Sequence, residues 1–366
     1  MPPGNKLANI YNKFDAEGSF LSGRTFGTGH IHDTYKIETA PKHRDYILQR
    51  LNTGVFHDIP GLQENIFRIT SHIKSKLSEE GEKNIDRKCL SLIVTPGGNT
   101  WIKDDRGDYW RMYIFIDNHH SYDVVRNTAQ AYEGGRAIGH FQRLLSDMPG
   151  PRLNETIPFF HDVEDRLLKF RRALEKDTAG RAEKVRNETD FVFSREEEMK
   201  TIEKLGRQGK IPLRITHNDT KFNNILLDDN DKALCIIDLD TVMPGYVHYD
   251  FGDSVRTVAS MAPEDEEDLS KVYMNMDLYE SFTRGYLQQI SSVLNETEIA
   301  YLAYAPSLMA FIMGLRFLTD YIDGDTYYKI SRKDHNIIRS RAQFRLVENF
   351  EMELESMKTI ISDIIN

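Results

Sequence analysis

The stretch Ile215-Thr216-His217-Asn218-Asp219-Thr220-Lys221-Phe222-Asn223-Asn224 has the form H-x-D-x-K-x-x-N. It is followed by the apolar run Ala233 to Ile237 and then by Asp238-Leu239-Asp240. A carboxylate fixed within hydrogen-bond reach of a hydroxyl can take its proton. An amide oxygen and a second carboxylate can hold a hard cation, which prefers oxygen ligands. An ammonium group can face the charge that builds up in a transition state. In this order the set fits transfer of a nucleotide γ-phosphoryl to an acceptor hydroxyl. Asp219 is then the catalytic base, His217 braces the loop beneath it, and Lys221 faces the transferring group. Asn224 and Asp238 hold Mg2+ on the phosphates. A polar turn would account for H-x-D alone, but not for Lys221, Asn224 and a strand-borne Asp238 in register with it. Asp240 projects to the same side as Asp238 if the strand continues, because strand side chains alternate. A second metal, the substrate and plain solvent are all open to it. Asp250 opens a helix, where an acid serves as a structural cap.

The N-terminal part offers what a nucleotide needs. Gly27-Thr28-Gly29 lies between two β-like segments, and close glycines let backbone N–H groups approach phosphates. The third glycine of G-x-G-x-x-G is absent, and His32 stands in its place. Arg50 ends the run Ile47-Leu48-Gln49-Arg50, where a third strand would offer a cation to the α- and β-phosphates; its fork suits phosphate. Glu64, on the next helix, is a candidate partner for it. The strand from Tyr113 leads through Asp117 to Asn118, a hinge whose backbone groups can hold adenine.

Those side chains must be positioned by ordinary elements. Residues 5–18 read as a short amphipathic helix and 19–50 as three antiparallel strands. Residues 62–77 carry apolar residues at helical spacing, and strands follow at Leu90–Thr95 and Asp108–Ile116. Beyond Asn118 the pattern turns helical over 121–147, 162–208 (broken near Gly180), 265–290, 297–320 and 334–364. The acidic run Glu264 to Asp268 reads as a solvated helix start. The expected domains are a nucleotide-binding lobe, residues 1–118, and a catalytic and substrate-binding lobe, residues 119–366.

Composition limits the alternatives. A chain of 366 residues, 40% hydrophobic and 28% charged, can bury two cores. A net charge of −10 and the lack of a basic stripe disfavour nucleic acid as a partner. The two cysteines, Cys89 and Cys235, read as buried free thiols of a reducing compartment. No run of signal-peptide or membrane-spanning character stands out, so a cytoplasmic protein without a membrane partner is expected. The sequence leaves the oligomeric state open.

These residues resemble the aminoglycoside phosphotransferase and choline kinase superfamily, and within it the bacterial N-acetylhexosamine 1-kinases. The resemblance is carried by Gly29 to Tyr35, Ile47 to Arg50, His217 to Asn224, Ile237 to Gly245, Tyr249 to Asp253, and Gly314 to Tyr321 continuing through Gly324 to Tyr328. It implies a bilobal, protein-kinase-like α+β fold. The small mixed N-lobe has an antiparallel sheet, and the larger C-lobe is mainly helical. It further implies ATP as co-substrate, Mg2+, and phosphorylation of the anomeric hydroxyl of N-acetylglucosamine or N-acetylgalactosamine. By the same resemblance Arg316 and Tyr327 line the sugar site, together with Asp240. Read from the residues alone, an Arg316 ion pair with Asp320 four positions on is an equal alternative. Other members of the superfamily acting on choline, homoserine, aminoglycosides or other sugars remain open, as does a non-catalytic kinase-fold binding protein. In such loops Asn is expected at position 32; His32 departs from it.

Overall fold

Helix α1 (Pro3–Tyr11) precedes the three expected strands, which form a meander: β1 (Ser19–Thr25), β2 (Asp33–Ala40) and β3 (Tyr46–Arg50). After α2 (Ile59–Glu79) and the short α3 (Ile85–Lys88), the strands β4 (Trp101–Lys103) and β5 (Tyr109–Ile114) complete the sheet. Its order is β1-β2-β3-β5-β4, antiparallel throughout. The computed structural model describes residues 3–27, 31–41 and 43–366.

The pleat gives this sheet two distinct faces. Tyr46, Leu48, Trp110 and Met112 pack with Leu7, Ile10, Tyr11 and Phe14 from the α1 segment. Ile47 and Tyr113 face the other way, into a cluster with Leu62, Ile66, Ile69 and Ile73 of α2. That second cluster continues into Phe141, Leu144, Leu226, Cys235, Leu239 and Val242, so one apolar core joins sheet, α2 and the later part of the chain. Each fully buried Ile or Leu in it contributes roughly 2 kcal/mol of transfer free energy. Cys89 and Cys235 are buried within it as free thiols.

The remainder is mainly helical. Helices α4 (Thr128–Leu145), α5 (Val163–Lys176), α6 (Arg186–Met199) and α7 (Thr201–Arg207) come first. Two small antiparallel ladders follow, β6 (Arg214–Thr216) with β9 (Met243–Gly245), and β7 (Ile225–Leu227) with β8 (Ala233–Ile236). Then come α8 (Val247–Val258), α9 (Met276–Ile290), α10 (Glu296–Ala300), α11 (Ala305–Ile322), α12 (His335–Met352) and α13 (Leu354–Ile365). Helix α11 is the axis of this part: most of its residues are buried, packed on α8, α5 and α12.

Several expectations are corrected. Leu90–Thr95 makes no strand: only Leu92 bridges to Tyr113, because β4 already occupies the Tyr109–Arg111 part of that edge of β5. The acidic run Glu264 to Asp268 starts no α-helix; its last residue caps a single 3₁₀ turn, Leu269–Lys271. It is an ion-paired strap, with Asp265 bonded to Arg332 and His335, and Glu264 to Arg256. The stretch Glu296–Ile322 does hold an 18-residue window apolar enough for a membrane span, at mean hydropathy 1.4. It packs inside the fold as a core segment, 83% buried over that window.

Candidate active site

The loop after β6 is held by its neighbours on every side. Asn218 takes a left-handed conformation, φ 65°, which Asn tolerates better than branched residues. Its backbone N–H and that of His217 both donate to the Asp250 carboxylate, at 2.7 and 2.8 Å. Gln142 Nε2 donates to the same carboxylate at 2.7 Å. His217 Nε2 donates to the Ile237 carbonyl at 2.9 Å, and His217 Nδ1 accepts the Asp219 N–H at 3.3 Å. That fixes a neutral imidazole with its proton on Nε2. His217 is thus wholly buried as a brace beneath the loop and touches no open space. Asp250 sits inside α8, whose N-cap is Tyr246. Its work is anchoring the loop rather than capping the helix.

Asp219 follows at the end of this scaffold, partly exposed. Asn224 Nδ2 donates to the Asp219 carbonyl at 2.9 Å and lies 3.4 Å from its carboxylate. Lys221 Nζ stands 3.2 Å from the same carboxylate, which holds the ammonium above its ordinary range. Asp219, Lys221 and Asn224 are therefore one contact group. Because Asn224 spends its amide protons on Asp219, its Oδ1 remains an open acceptor.

Asp238 does not continue the strand. β8 ends at Ile236, Asp238 is left-handed at φ 60°, and residues 239–241 make a 3₁₀ turn. The strand alternation expected there is replaced by this turn, which nevertheless keeps the Asp240 carboxyl against that of Asp238. Asp240 turns toward the sheet, and both its oxygens are taken by Arg111, at 2.5 and 2.6 Å. Burial opposes its charge, yet Arg111 and His32 hold its carboxyl far below the usual range. Asp238 keeps an exposed face, and partial loss of water, with the Asp240 and Asp219 carboxylates beside it, pushes it above the usual carboxylate range. The open face decides its use, because an oxygen that solvent reaches is one that a cation reaches. An acceptor-only oxygen on Asn224 and a carboxylate destabilised by its own neighbours suit Mg2+. Among the described residues no three His, Cys, Asp or Glu side chains form a metal cluster. Mg2+ on phosphates needs only one or two protein ligands, so the donor set fits.

The sheet treats the nucleotide candidates unevenly. Gly27 is left-handed at φ 76°, a turn only glycine makes at no cost, while Thr28 and Gly29 lie outside the described residues. Arg50 is not brought to the site. The pleat turns it to the α1 face, where it pairs with Asp33 and Asp108 near Lys6. Glu64 is exposed and lies near Arg68, not Arg50. Asp117 is exposed, and its carbonyl accepts from Arg87 at 2.9 Å.

Among the described residues Arg316 has no carboxylate partner. The Asp320 alternative fails because that carboxylate accepts the N–H groups of Thr326, Tyr327 and Tyr328 and the Asn336 amide. The Arg316 guanidinium instead lies 5.2 Å from the Phe160 ring and 5.6 Å from that of Tyr328. Tyr327 meets Tyr328 edge-on at 4.8 Å and is 65% exposed. Arg166 joins them: it donates to the Phe160 carbonyl at 2.7 Å, and its Nε is buried without a partner. Burial and the Arg316 charge push Arg166 down to about 10. His161, packed 4.5 Å from Phe160, donates to the Asn218 carbonyl at 2.9 Å and so links this cluster to the loop bearing Asp219. Arg166 and His161 escape sequence reading because an amphipathic charged helix and its lead-in look the same with or without a site.

A sequence model described as the phosphotransferase enzyme family matches residues 22–285. The chain belongs to that family. The fold of this phosphotransferase is shared by a solved aminoglycoside phosphotransferase from Alicyclobacillus acidocaldarius, 10% identical, with TM-score 0.61 over 97% of this chain and 96% of that one. A choline kinase from Cryptosporidium parvum is 14% identical, with TM-score 0.56 over 99% of each chain. A spectinomycin phosphotransferase in complex with ADP and spectinomycin is 14% identical, with TM-score 0.56 over 97% and 98%. The phosphotransferase thus has the kinase-like fold of the aminoglycoside phosphotransferase and choline kinase superfamily, a sheet-bearing N-lobe on a helical C-lobe.

Proposed function

We propose that this phosphotransferase moves the γ-phosphoryl of ATP to the anomeric hydroxyl of an N-acetylhexosamine, N-acetylglucosamine or N-acetylgalactosamine. The observation that carries the reading is the pair Arg166 and Arg316, without a carboxylate partner among the described residues, set among Phe160, Tyr327 and Tyr328 and tied through His161 to the loop of Asp219. Two uncompensated guanidinium groups repel a quaternary ammonium or a polycationic aminoglycoside. They suit hydroxyl and amide-carbonyl oxygens, while aromatic rings suit the apolar face of a pyranose. Choline and aminoglycosides are thereby disfavoured, although members of the superfamily use both.

Asp219, fixed by its loop, orients the acceptor hydroxyl and accepts its proton. Lys221 offers positive charge to the transferring group, and Asn224 and Asp238 would hold Mg2+. The chemistry such an ion would supply at Asn224 and Asp238 is neutralisation of phosphate charge. Most of the catalysis in this reading is positioning and electrostatics. ADP release is measured with ATP and Mg2+ against N-acetylglucosamine, N-acetylgalactosamine, glucose, galactose, choline, homoserine and kanamycin, with the product position read by phosphorus NMR. A sugar 1-phosphate signal confined to the acetylated sugars is expected, and Arg316→Ala raises the KM for sugar more than tenfold while leaving that for ATP in place. Turnover with choline or kanamycin instead would remove the sugar and keep the kinase.

A further inference from the structure

In a kinase-like lobe the third strand is expected to turn a cation toward the nucleotide, and here it does not. Gln49 lies on the face turned to the C-lobe, and Arg50 on the opposite one. The cation on the C-lobe face comes from the neighbouring strand. Arg111, the cross-strand partner of Gln49, is only 2% exposed. Its Nε donates to Gln49 Oε1 at 2.9 Å, its two terminal nitrogens donate to the two oxygens of Asp240, and the Tyr113 ring lies 5.1 Å from its guanidinium. His32, whose Nδ1 accepts the Asn52 N–H, brings its Nε2 within 3.4 Å of the same carboxylate. Asp240 is therefore gripped from the N-lobe while belonging to the C-lobe, two residues after Asp238. The Asp238 side chain lies against the Asp240 carboxyl. The short 3₁₀ turn that Asp240 anchors, and Asp240 itself, therefore set where it stands.

We infer that the Arg111–Asp240 pair is an interlobe clamp that positions Asp238 for the metal–nucleotide complex, which makes Arg111 a positioning residue for phosphoryl transfer. β5 runs straight into the hinge at Ile114 to Asn118, so any shift of the sheet relative to the C-lobe moves Arg111 and, through Asp240, the turn bearing Asp238. The planar two-point fork does this; a single ammonium would hold the charge but not the orientation. The clamp rests on Asp238 being the metal ligand.

The test is calorimetric titration of the full chain with ADP, with Mg2+ or with EDTA, alongside KM for the acceptor. Arg111→Lys is expected to weaken Mg·ADP at least tenfold, leaving ADP in EDTA and the acceptor KM within twofold. A second variant, Arg111→Gln with Asp240→Asn, leaves no buried charge unpaired, so it reads the clamp even if the first fails to fold. It is expected to lose Mg·ADP affinity to the same extent. Unchanged Mg·ADP affinity in these variants while Asp238→Asn abolishes it would overturn the clamp alone. A rise in acceptor KM with Mg·ADP intact would overturn it too and return Asp240 to the acceptor. Normal Mg·ADP binding by Asp238→Asn would overturn the metal assignment and the clamp with it.

Discussion

At the scale of single residues, the proposed site rests on one fixed carboxylate. The neighbours of Asp219 carry the structural load: Asp250 holds two backbone N–H groups of the loop, and His217 ties the loop to the end of β8. Asp219→Asn keeps the shape and the contact with Asn224 but removes the base. Turnover is expected to fall about a thousandfold, within the usual range for a positioned base, with ADP affinity within threefold of the parent. Steady-state kinetics and calorimetry check this, and turnover within tenfold of the parent would remove Asp219 from the reaction. The contact group of Asp219, Lys221 and Asn224 could be read from the sequence because its members are local and their spacing survives folding. Arg50 and Asp240 could not. Period-2 alternation says that Gln49 and Arg50 point to opposite faces, but which face meets the C-lobe is decided by α1 and α2 packing on the sheet. Asp240 depended on a strand that ends two residues before Asp238, where the left-handed turn begins. Arg111 was invisible for the same reason: a cation inside an apolar strand acquires meaning only when its partner, 129 residues away, is known.

At the scale of elements, helical periodicity located α2 to within three residues and the C-terminal ends of α4, α9 and α11 to within two, but it began those three helices 7, 11 and 8 residues too early, because the apolar residues of the preceding loops and short turns continue the pattern. It missed the breaks between α6 and α7 and between α12 and α13, where the apolar pattern runs on although the backbone turns. Nor did it foresee how closely α4 and α9 approach. A Cβ at Gly135 would lie 1.9 Å from the Phe282 carbonyl oxygen, and one at Gly285 would lie 2.1 Å from that of Tyr132. The two backbones therefore touch at reciprocal glycines. This contact underpins the core that carries the loop anchor, because Gln142 of α4 bonds both Asp250 and Tyr286 of α9. Gly135→Ala has to push the helices apart, at a cost of about 3 kcal/mol or more. A lowered urea midpoint with unchanged slope is expected, together with reduced kcat as Gln142 moves away from Asp250. An unchanged midpoint would mean that the helices do not meet there.

For the whole molecule, stability against pH follows from titratable groups that folding buries, His161 beside the Asp219 loop among them. Glu203 of α7 accepts the Val163 N–H at the start of α5, and burial, with Asp162 and Glu164 adding repulsion, pushes it up to about 7. An acid raised in the fold favours its protonated form there. Its contribution is complete below the unfolded value of 4.5 and is lost as pH rises through about 7. His161 and His248 act in the opposite sense. Burial holds both near 4, so their contribution is complete above the unfolded 6.5 and is lost as pH falls through about 4. The two trends oppose each other across the acidic range and leave Glu203, with the raised Asp238, as alkaline liabilities. Glu203→Gln keeps an oxygen for the Val163 N–H and removes the titration. It is expected to stabilise the protein at pH 8 by up to about 3 kcal/mol and to change nothing at pH 4.5. Thermal melts of parent and variant from pH 4.5 to 8 measure this directly: the two curves coincide at the acidic end and diverge through pH 7. Curves that stay parallel across the range would mean that Glu203 ionises freely in the folded protein, with water reaching the α5–α7 junction.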